Sequence, residues 1–384
     1  MARATKGCGC AVAVVLVAAA AGGLVFWKFF WPRWKLQPPP ASGGELQVHV
    51  LDVGPINGDA ILIISPAGKT VLIDAGDAGK EKVVLEALRK YQVQQLDYFV
   101  ATHPHPDHIG AAAAVLKATK VLDVIDNGLP PSVALPSPSP TPAGKKPAPA
   151  PKPTPRNSKQ LKGPAQFYLD YEDAVKQSGA QHETAEAGKK YDLGAGARLT
   201  IIGPTQPYFT KEQMKAGGNE PNANSIVVRL DYGDFSMLLM GDAEEQSEQR
   251  MLSKDVDLNA KILKVGHHGS KYATSAAFLS RVNPQVSIIS DGEWNRYGHP
   301  AQAVLDRLKA ANAKVYRTDL QGEISITTNG KLKGNDLFTI KTAKDAKTDV
   351  WAGRLPQKDD ASRSGFVAYG DFGPPPKVKP ENTR

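Results

Sequence analysis

The sequence predicts an α/β protein with two sheets packed face to face and helices outside. Short β-branched or leucine-rich runs recur along it, and segments with apolar residues at helical spacing separate them. Its two halves share this strand–helix–strand character, and no short repeat of solenoid type is present.

In chain order, LQVHVLDV (Leu46–Val53), AILIIS (Ala60–Ser65) and TVLIDAG (Thr70–Gly76) read as strands separated by glycine, proline and lysine turns. Gly79–Tyr91 has helical spacing, and LDYFVAT (Leu96–Thr102) is a buried strand running into THPHPDHIG (Thr102–Gly110). A helix begins at or just before His108, and VLDVID (Val121–Asp126) is the next strand. After a helix over Ala165–Gln177 come strands at Ala197–Gly203, Ser225–Gly233 and Phe235–Asp242. AEEQSEQRMLS is a helix whose acidic first turn suits the helix dipole. KILKVGHHGS sets a strand ahead of His267 and His268. The strand QVSIIS (Gln285–Ser290), the loop DGEWNRYGHP, the helix AQAVLDRLKAA and the strands KVYRT and GEISITT complete the body.

The 384 residues suffice for one large domain or two ordinary ones, and 41% hydrophobic with 22% charged residues suits a soluble globular core. The net charge of +8 and the pI near 9.2 hint at nucleic acid. Much of the excess, however, lies in flanking residues such as Arg3, Lys6, Lys28, Arg33, Lys35, Lys145, Lys146, Lys152 and Arg156, where it reads as membrane topology or solubility. Cys8 and Cys10 are the only cysteines, which excludes a disulfide or thiolate site from the body.

After a short basic N-terminus (1–10), residues 11–31 are apolar enough and long enough for a transmembrane signal-anchor. Trp27, Phe29, Phe30, Trp31 and Trp34 form an aromatic belt at its far end. The competing reading is a cleaved signal peptide. The anchor implies a single-pass protein of the cell membrane, and basic residues on both sides of the span leave its orientation open. Residues 32–44 are a linker, 45–343 one domain, and 344–384 a polar, loose tail. The Pro-rich stretch 130–156 lacks apolar periodicity and reads as a disordered insertion, a family-specific lid being the alternative.

His103, His105, Asp107 and His108 fall within six residues. His103 and His105 lie two apart in extended chain and face one way; Asp107 and His108 face back across the same gap from the helix start. Four such groups can serve two adjacent cations, and imidazole with carboxylate suits zinc, manganese or iron over calcium or copper(I). Pro104 and Pro106 reduce the cost of ordering the loop.

HPHPDH resembles the signature of the metallo-β-lactamase superfamily, and the chain more narrowly resembles the hydrolase domain of ComEC-type DNA-uptake proteins. LDVG with GDA, LIDAG, THPHPDHIG, NSIVVRLDYG, LLMGD, LKVGHHGS and YGHP occur in that family's order, from about Glu45 to Thr328. The resemblance implies a four-layer αββα sandwich, two divalent ions, Zn or Mn, and a body outside the cytoplasm. His103 and His105 would hold one ion, Asp107 and His108 the other, with Asp242 bridging. The last ligand would be His267 or His268; consecutive residues do not easily face one site, and the following glycine favours His268. Asp52 and Asp74 would orient ligand histidines, His299 would contact substrate, and Asn224 and Ser270 are weaker candidates for the cleft. The histidine that many superfamily members carry before the aspartate strand has no counterpart, which leaves His103 and His105 one protein ligand short.

The expected function is metal-dependent hydrolysis of a phosphodiester or nucleic acid by a hydroxide activated between two ions, with Asp107 and His299 as catalytic groups. Residual positive charge on the body would favour a polyanion, bound less tightly in salt. Hydrolysis of lactones, esters or β-lactams is the second enzymatic reading. An inactive anchored scaffold is the reading from another class.

Overall fold

The structure, a computed structural model, describes residues 43–132, 163–214, 219–294, 297–334 and 336–355. The expected membrane span at 11–31, most of the 130–156 insertion and the tail beyond 355 lie outside the described residues. Among the described residues, no helix is long and apolar enough to cross a membrane.

The first sheet contains β1 (Leu46–Val50), β2 (Ile61–Ile64), β3 (Thr70–Ile73), β4 (Gln95–Ala101), β5 (Lys120–Asp126), β6 (Gln181–Thr184), β14 (Ile324–Thr328) and β15 (Thr339–Thr342). Its strand order is β15-β14-β1-β2-β3-β4-β5-β6. The second contains β7 (Lys190–Gly194), β8 (Ala197–Gly203), β9 (Val227–Tyr232), β10 (Phe235–Leu239), β11 (Ile262–Lys264), β12 (Val286–Ile289) and β13 (Lys314–Arg317), in the order β13-β12-β11-β10-β9-β8-β7. From β3 to β6 and from β10 to β13 neighbouring strands are parallel. Parallel neighbours need crossovers, which are supplied by α1 (Glu81–Lys90), α2 (Pro106–Ile109), α3 (Ala112–Ala118) and α4 (Pro164–Ser178) in the first sheet. In the second they are α6 (Glu245–Leu252), α7 (Ala276–Val282) and α8 (Gln302–Ala310). Two one-turn helices remain, α5 (Glu220–Ala223) and α9 (Thr318–Gln321).

Period-two side-chain alternation produces the layers. Val71, Ile73 and Val100 point between the sheets toward Val228, Met237 and Ile262. Leu72 and Phe99 face the helices through Val84, Leu88, Val115 and Tyr171. Across the molecule, Leu238, Leu263 and Ile289 pack on Met251, Phe278 and Leu305. The result is a mixed α/β sandwich with helices over both outer faces.

Among the described residues, the strands β6, β7 and β15 and the helices α5, α7 and α9 have no counterpart in the sequence reading. β6 (QHET) and β15 (TIKT) are polar edge strands with exposed or half-exposed residues, so their apolar pattern is too weak to read. The loose tail expected from 344 onward is instead held at 344–355. Buried Arg317 donates through Nη1 to the carbonyls of Val350 (3.0 Å) and Ala352 (2.6 Å). Asp319 Oδ2 accepts from Arg354 Nε at 2.6 Å.

Candidate metal centre

Strand ends from both sheets deliver the polar cluster. β3 ends just before Asp74, β4 before Thr102 and His103, β10 before Asp242, and β11 before His267 and His268. His103, His105, His108, Asp242 and His268 are all buried, while the Asp107 side chain is 20% exposed. Among the described residues, three groups have donor atoms within 4.8 Å of one another: Asp59, Asp74 and His108 behind the centre, and, within it, Asp107, His108, Asp242 and His268, and His103, His105 and Asp242, these last two sets overlapping. Asp242 belongs to both.

Its two oxygens divide the cluster. Oδ1 lies 3.2 Å from His108 Nε2 and 3.4 Å from His268 Nε2, which is also 3.4 Å from Asp107 Oδ2. Oδ2 lies 3.7 Å from His103 Nε2, and His105 Nδ1 is 2.9 Å from that same nitrogen.

The outer ring nitrogens fix the tautomers. Asp74 Oδ2 and the Ser290 carbonyl can only accept here, so His108 Nδ1 (2.7 Å) and His268 Nδ1 (2.9 Å) donate to them. Thr102 Oγ1 spends its proton on Asp74 Oδ2 at 2.7 Å and so accepts from His103 Nδ1 at 3.2 Å. The Nε2 lone pairs of His103, His108 and His268 are thereby turned toward Asp242.

This arrangement fits divalent cations. His108 Nε2, His268 Nε2 and Asp242 Oδ1 are buried without a hydrogen-bond partner. Three orphaned acceptor-type atoms converging on one point are costly unless something positive joins them. Charge agrees. Burial holds His105 at about 4 and His103 well below the usual range, both neutral as ligands must be. Burial also disfavours charged His108 and His268, but Asp242 and its neighbours outweigh it and raise both, the mark of a concentrated negative charge that a cation would neutralise. For Asp107, burial is overcome by His268 and His108, which set its carboxyl at about 2.

Asp74 is fully buried against His108, whereas the charged groups acting on Asp52 include no ligand histidine. Asp52 accepts from Gly54 N at 3.1 Å and has Lys344, Glu293 and Asp319 as its charged neighbours. On the other side Asp59 lies 3.6 Å from His268 Nδ1, whose hydrogen bond goes to the Ser290 carbonyl, and 2.7 Å from the buried Lys264 Nζ. Asn224 does not line the cleft either. Its amide closes onto the backbone of Phe209 at 2.9 Å in both directions and onto the Glu220 carbonyl, which pins the loop ahead of α5. Ser270 is buried in the turn after His268, its Oγ 3.4 Å from Tyr272 N. His299 sits beside the centre, its ring 5.2 Å from that of His267 and stacked at 5.7 Å on the exposed Tyr297.

Consecutive histidines do not easily face one site, and the backbone here turns both toward Asp242. His267 (φ 46°) and His268 (φ 52°) both adopt the left-handed region, at a cost of roughly 1–2 kcal/mol each. Gly269 (φ +83°) completes the turn where an added Cβ would lie 2.6 Å from Pro300 Cβ. His267 Nε2 consequently lies 3.7 Å from Asp242 Oδ2, and its Nδ1 donates to Glu244 Oε1 at 3.0 Å.

Asn57, Asp59, Thr102, Ser225 and Glu244 border the cluster, and Lys264 pairs with Asp59 behind it, without having been singled out. Asn57 donates to Asp107 Oδ2 at 3.1 Å, and Ser225 Oγ lies 3.2 Å from His103 Nδ1. Lys264 was the readable signal, a lysine inside an otherwise apolar strand. Glu244 was hidden in an acidic helix start that the dipole already explains.

A metallo-β-lactamase superfamily family model matches residues 53–177. ComE operon protein 3 of Bacillus subtilis is 28% identical over 307 residues, covering 74% of this chain and 33% of that protein. Recombination protein 2 of Haemophilus influenzae is 30% identical over 288 residues, covering 73% and 28%. Competence protein ComA of Neisseria gonorrhoeae is 27% identical over 290 residues, covering 75% and 33%. The chain thus spans about a third of the length of these relatives. With two sheets, the ordered motifs and a clustered His/Asp site, the chain carries a metallo-β-lactamase superfamily domain, related to competence proteins.

Proposed function

We propose that the protein is a phosphodiesterase acting on nucleic-acid strands, with two divalent cations, Zn or Mn, shared across Asp242. The observation that carries this reading is the division of the donors between the two oxygens of one buried carboxylate. Two such ions, when bound, neutralise a phosphoryl group and acidify attacking water. His103 and His105 would hold one, and Asp107, His108 and His268 the other. Asp107 is the most open of these groups; steadied by Asn57, it would orient the water and accept its proton. His299, beside Tyr297 at the same cleft, would contact the phosphate. The apolar run 11–31 would tether this domain to the cell membrane.

The body's charge does not support the reading as expected. Between 45 and 343, outside the undescribed 133–162, acidic residues outnumber basic ones, so the chain's excess positive charge lies in its flanks and insertion. Attraction of a polyanion would therefore fall to the cations and flanks.

The test is an assay of the full chain, with Mn²⁺ or Zn²⁺ and with chelator, on single-stranded DNA, a phosphodiester reporter, a lactone and a chromogenic β-lactam. Metal-dependent phosphodiester cleavage abolished by Asp107→Ala is expected. Lactone or β-lactam turnover without phosphodiester cleavage would overturn the substrate, and metal-loaded protein inert on all four would favour the scaffold reading.

A further inference from the structure

We propose that both histidines of the Gly266–Gly269 turn are ligands, one for each cation, so that His267 supplies the ligand missing from the His103–His105 half. This inference rests on the two-cation reading above.

Four histidines present Nε2 to Asp242, and they do so in two pairs. His108 and His268 lie 3.2 and 3.4 Å from Oδ1; His103 and His267 each lie 3.7 Å from Oδ2. Each ring is oriented from behind through Nδ1. Asp74 does this for His108, the Ser290 carbonyl for His268, and the Thr102 hydroxyl for His103. For His267 the orienting group is Glu244, whose side chain is 2% exposed and whose Oε1 accepts from Nδ1 at 3.0 Å. A carboxylate behind a histidine, with the far nitrogen aimed at a bridging carboxylate, is how proteins orient a metal-ligating imidazole. The Asn222 amide, buried within 3.3 Å of both His267 ring nitrogens, limits the ring's freedom further. The left-handed backbone at both residues is what turns two consecutive side chains to opposite oxygens of one carboxylate. A turn serving only His268 would not need its neighbour in that conformation as well.

The rival role for His267 is a direct contact to substrate, because its side chain is 21% exposed and its ring faces His299. Metal uptake separates the two. The full chain, stripped with chelator, is reloaded with Co²⁺ and followed by visible absorption, and its Mn²⁺ and Zn²⁺ contents are measured by elemental analysis. Wild type is expected to take up two cations. His267→Ala should keep one and bind the other at least about tenfold more weakly, with a changed Co²⁺ spectrum. His268→Ala should lose the other cation. Glu244→Gln preserves volume and should weaken the same cation as His267→Ala, which keeps the question answerable if that variant does not fold. Two cations bound with wild-type affinity and spectrum in His267→Ala or Glu244→Gln would overturn the inference and leave the substrate contact. A wild-type chain that takes up fewer than two cations would instead overturn the two-cation reading beneath it.

Discussion

Replacing Asp242 with Asn tests whether one carboxylate organises the whole centre. The change keeps volume and the backbone bond from Asp242 N to Ser225 Oγ, but removes the charge that four imidazole nitrogens face at 3.2–3.7 Å. A unit charge about 3.5 Å away is worth roughly 4–5 kcal/mol at an effective dielectric near 20. If a third survives relaxation, each site loses about 1.4 kcal/mol, or roughly tenfold in affinity. At a metal concentration of about 100 Kd, each wild-type site adds about 2.7 kcal/mol to the stability of the fold. Two sites should raise Tm by on the order of 10 °C for a domain of this size. Asp242→Asn at the same metal concentration should show about half that rise or less, measured by scanning calorimetry with and without chelator. An undiminished shift would refute the argument, because the bridging charge would then contribute nothing to cation binding.

Metal binding to the stripped chain should release protons, since burial at His108 and His268 is outweighed by Asp242 and its neighbours, which raise the pKa of both when no cation is present; titration calorimetry near pH 7 in buffers of different ionisation enthalpy should read a net release, and none would contradict the direction of those shifts. Lys264→Ala should destabilise by about 3–5 kcal/mol in urea unfolding because it strands buried Asp59, whereas Asp52→Asn should leave cation affinity unchanged. Gly269→Ala should cost about 1–3 kcal/mol, from positive φ and contact with Pro300, and should weaken the cation held by His268. Glu323 is driven up by burial, but hydrogen bonds from His49, Lys90 and Tyr91 overcome this and hold it at about 2. Its folded pKa is thus below its unfolded one, so its stabilisation is present above about pH 4.5 and is lost as pH falls toward 2. Glu323→Gln should flatten that acid limb in denaturation experiments, and an unchanged slope would count against it.

The long apolar strands and amphipathic helices were legible because each buries a side whose period survives in one dimension. β4 runs Gln95–Ala101 where Leu96–Thr102 was expected, and α4 runs Pro164–Ser178 where 165–177 was expected. β6 and β15 were not legible, because polar edge strands owe their pairing to a neighbour. The metal cluster was half legible. His103, His105, Asp107 and His108 announce themselves by spacing, while Asp59 and Glu244 acquire meaning only beside His268 and His267.

By itself, the sequence determined the kind of chemistry: a body without cysteines, four nitrogen and oxygen donors in six residues, and strands to carry them. Only the tertiary structure decided the allocation. It set Asp52 apart from the ligands, gave the orientation of His268 to the Ser290 carbonyl, withdrew Asn224 from the cleft, and turned both His267 and His268 toward Asp242. The physical reason is that spacing along a chain fixes which way neighbouring side chains point only in regular backbone. The two left-handed residues at 267 and 268, and carboxylates brought in from distant strand ends, are set by the packing of the two sheets.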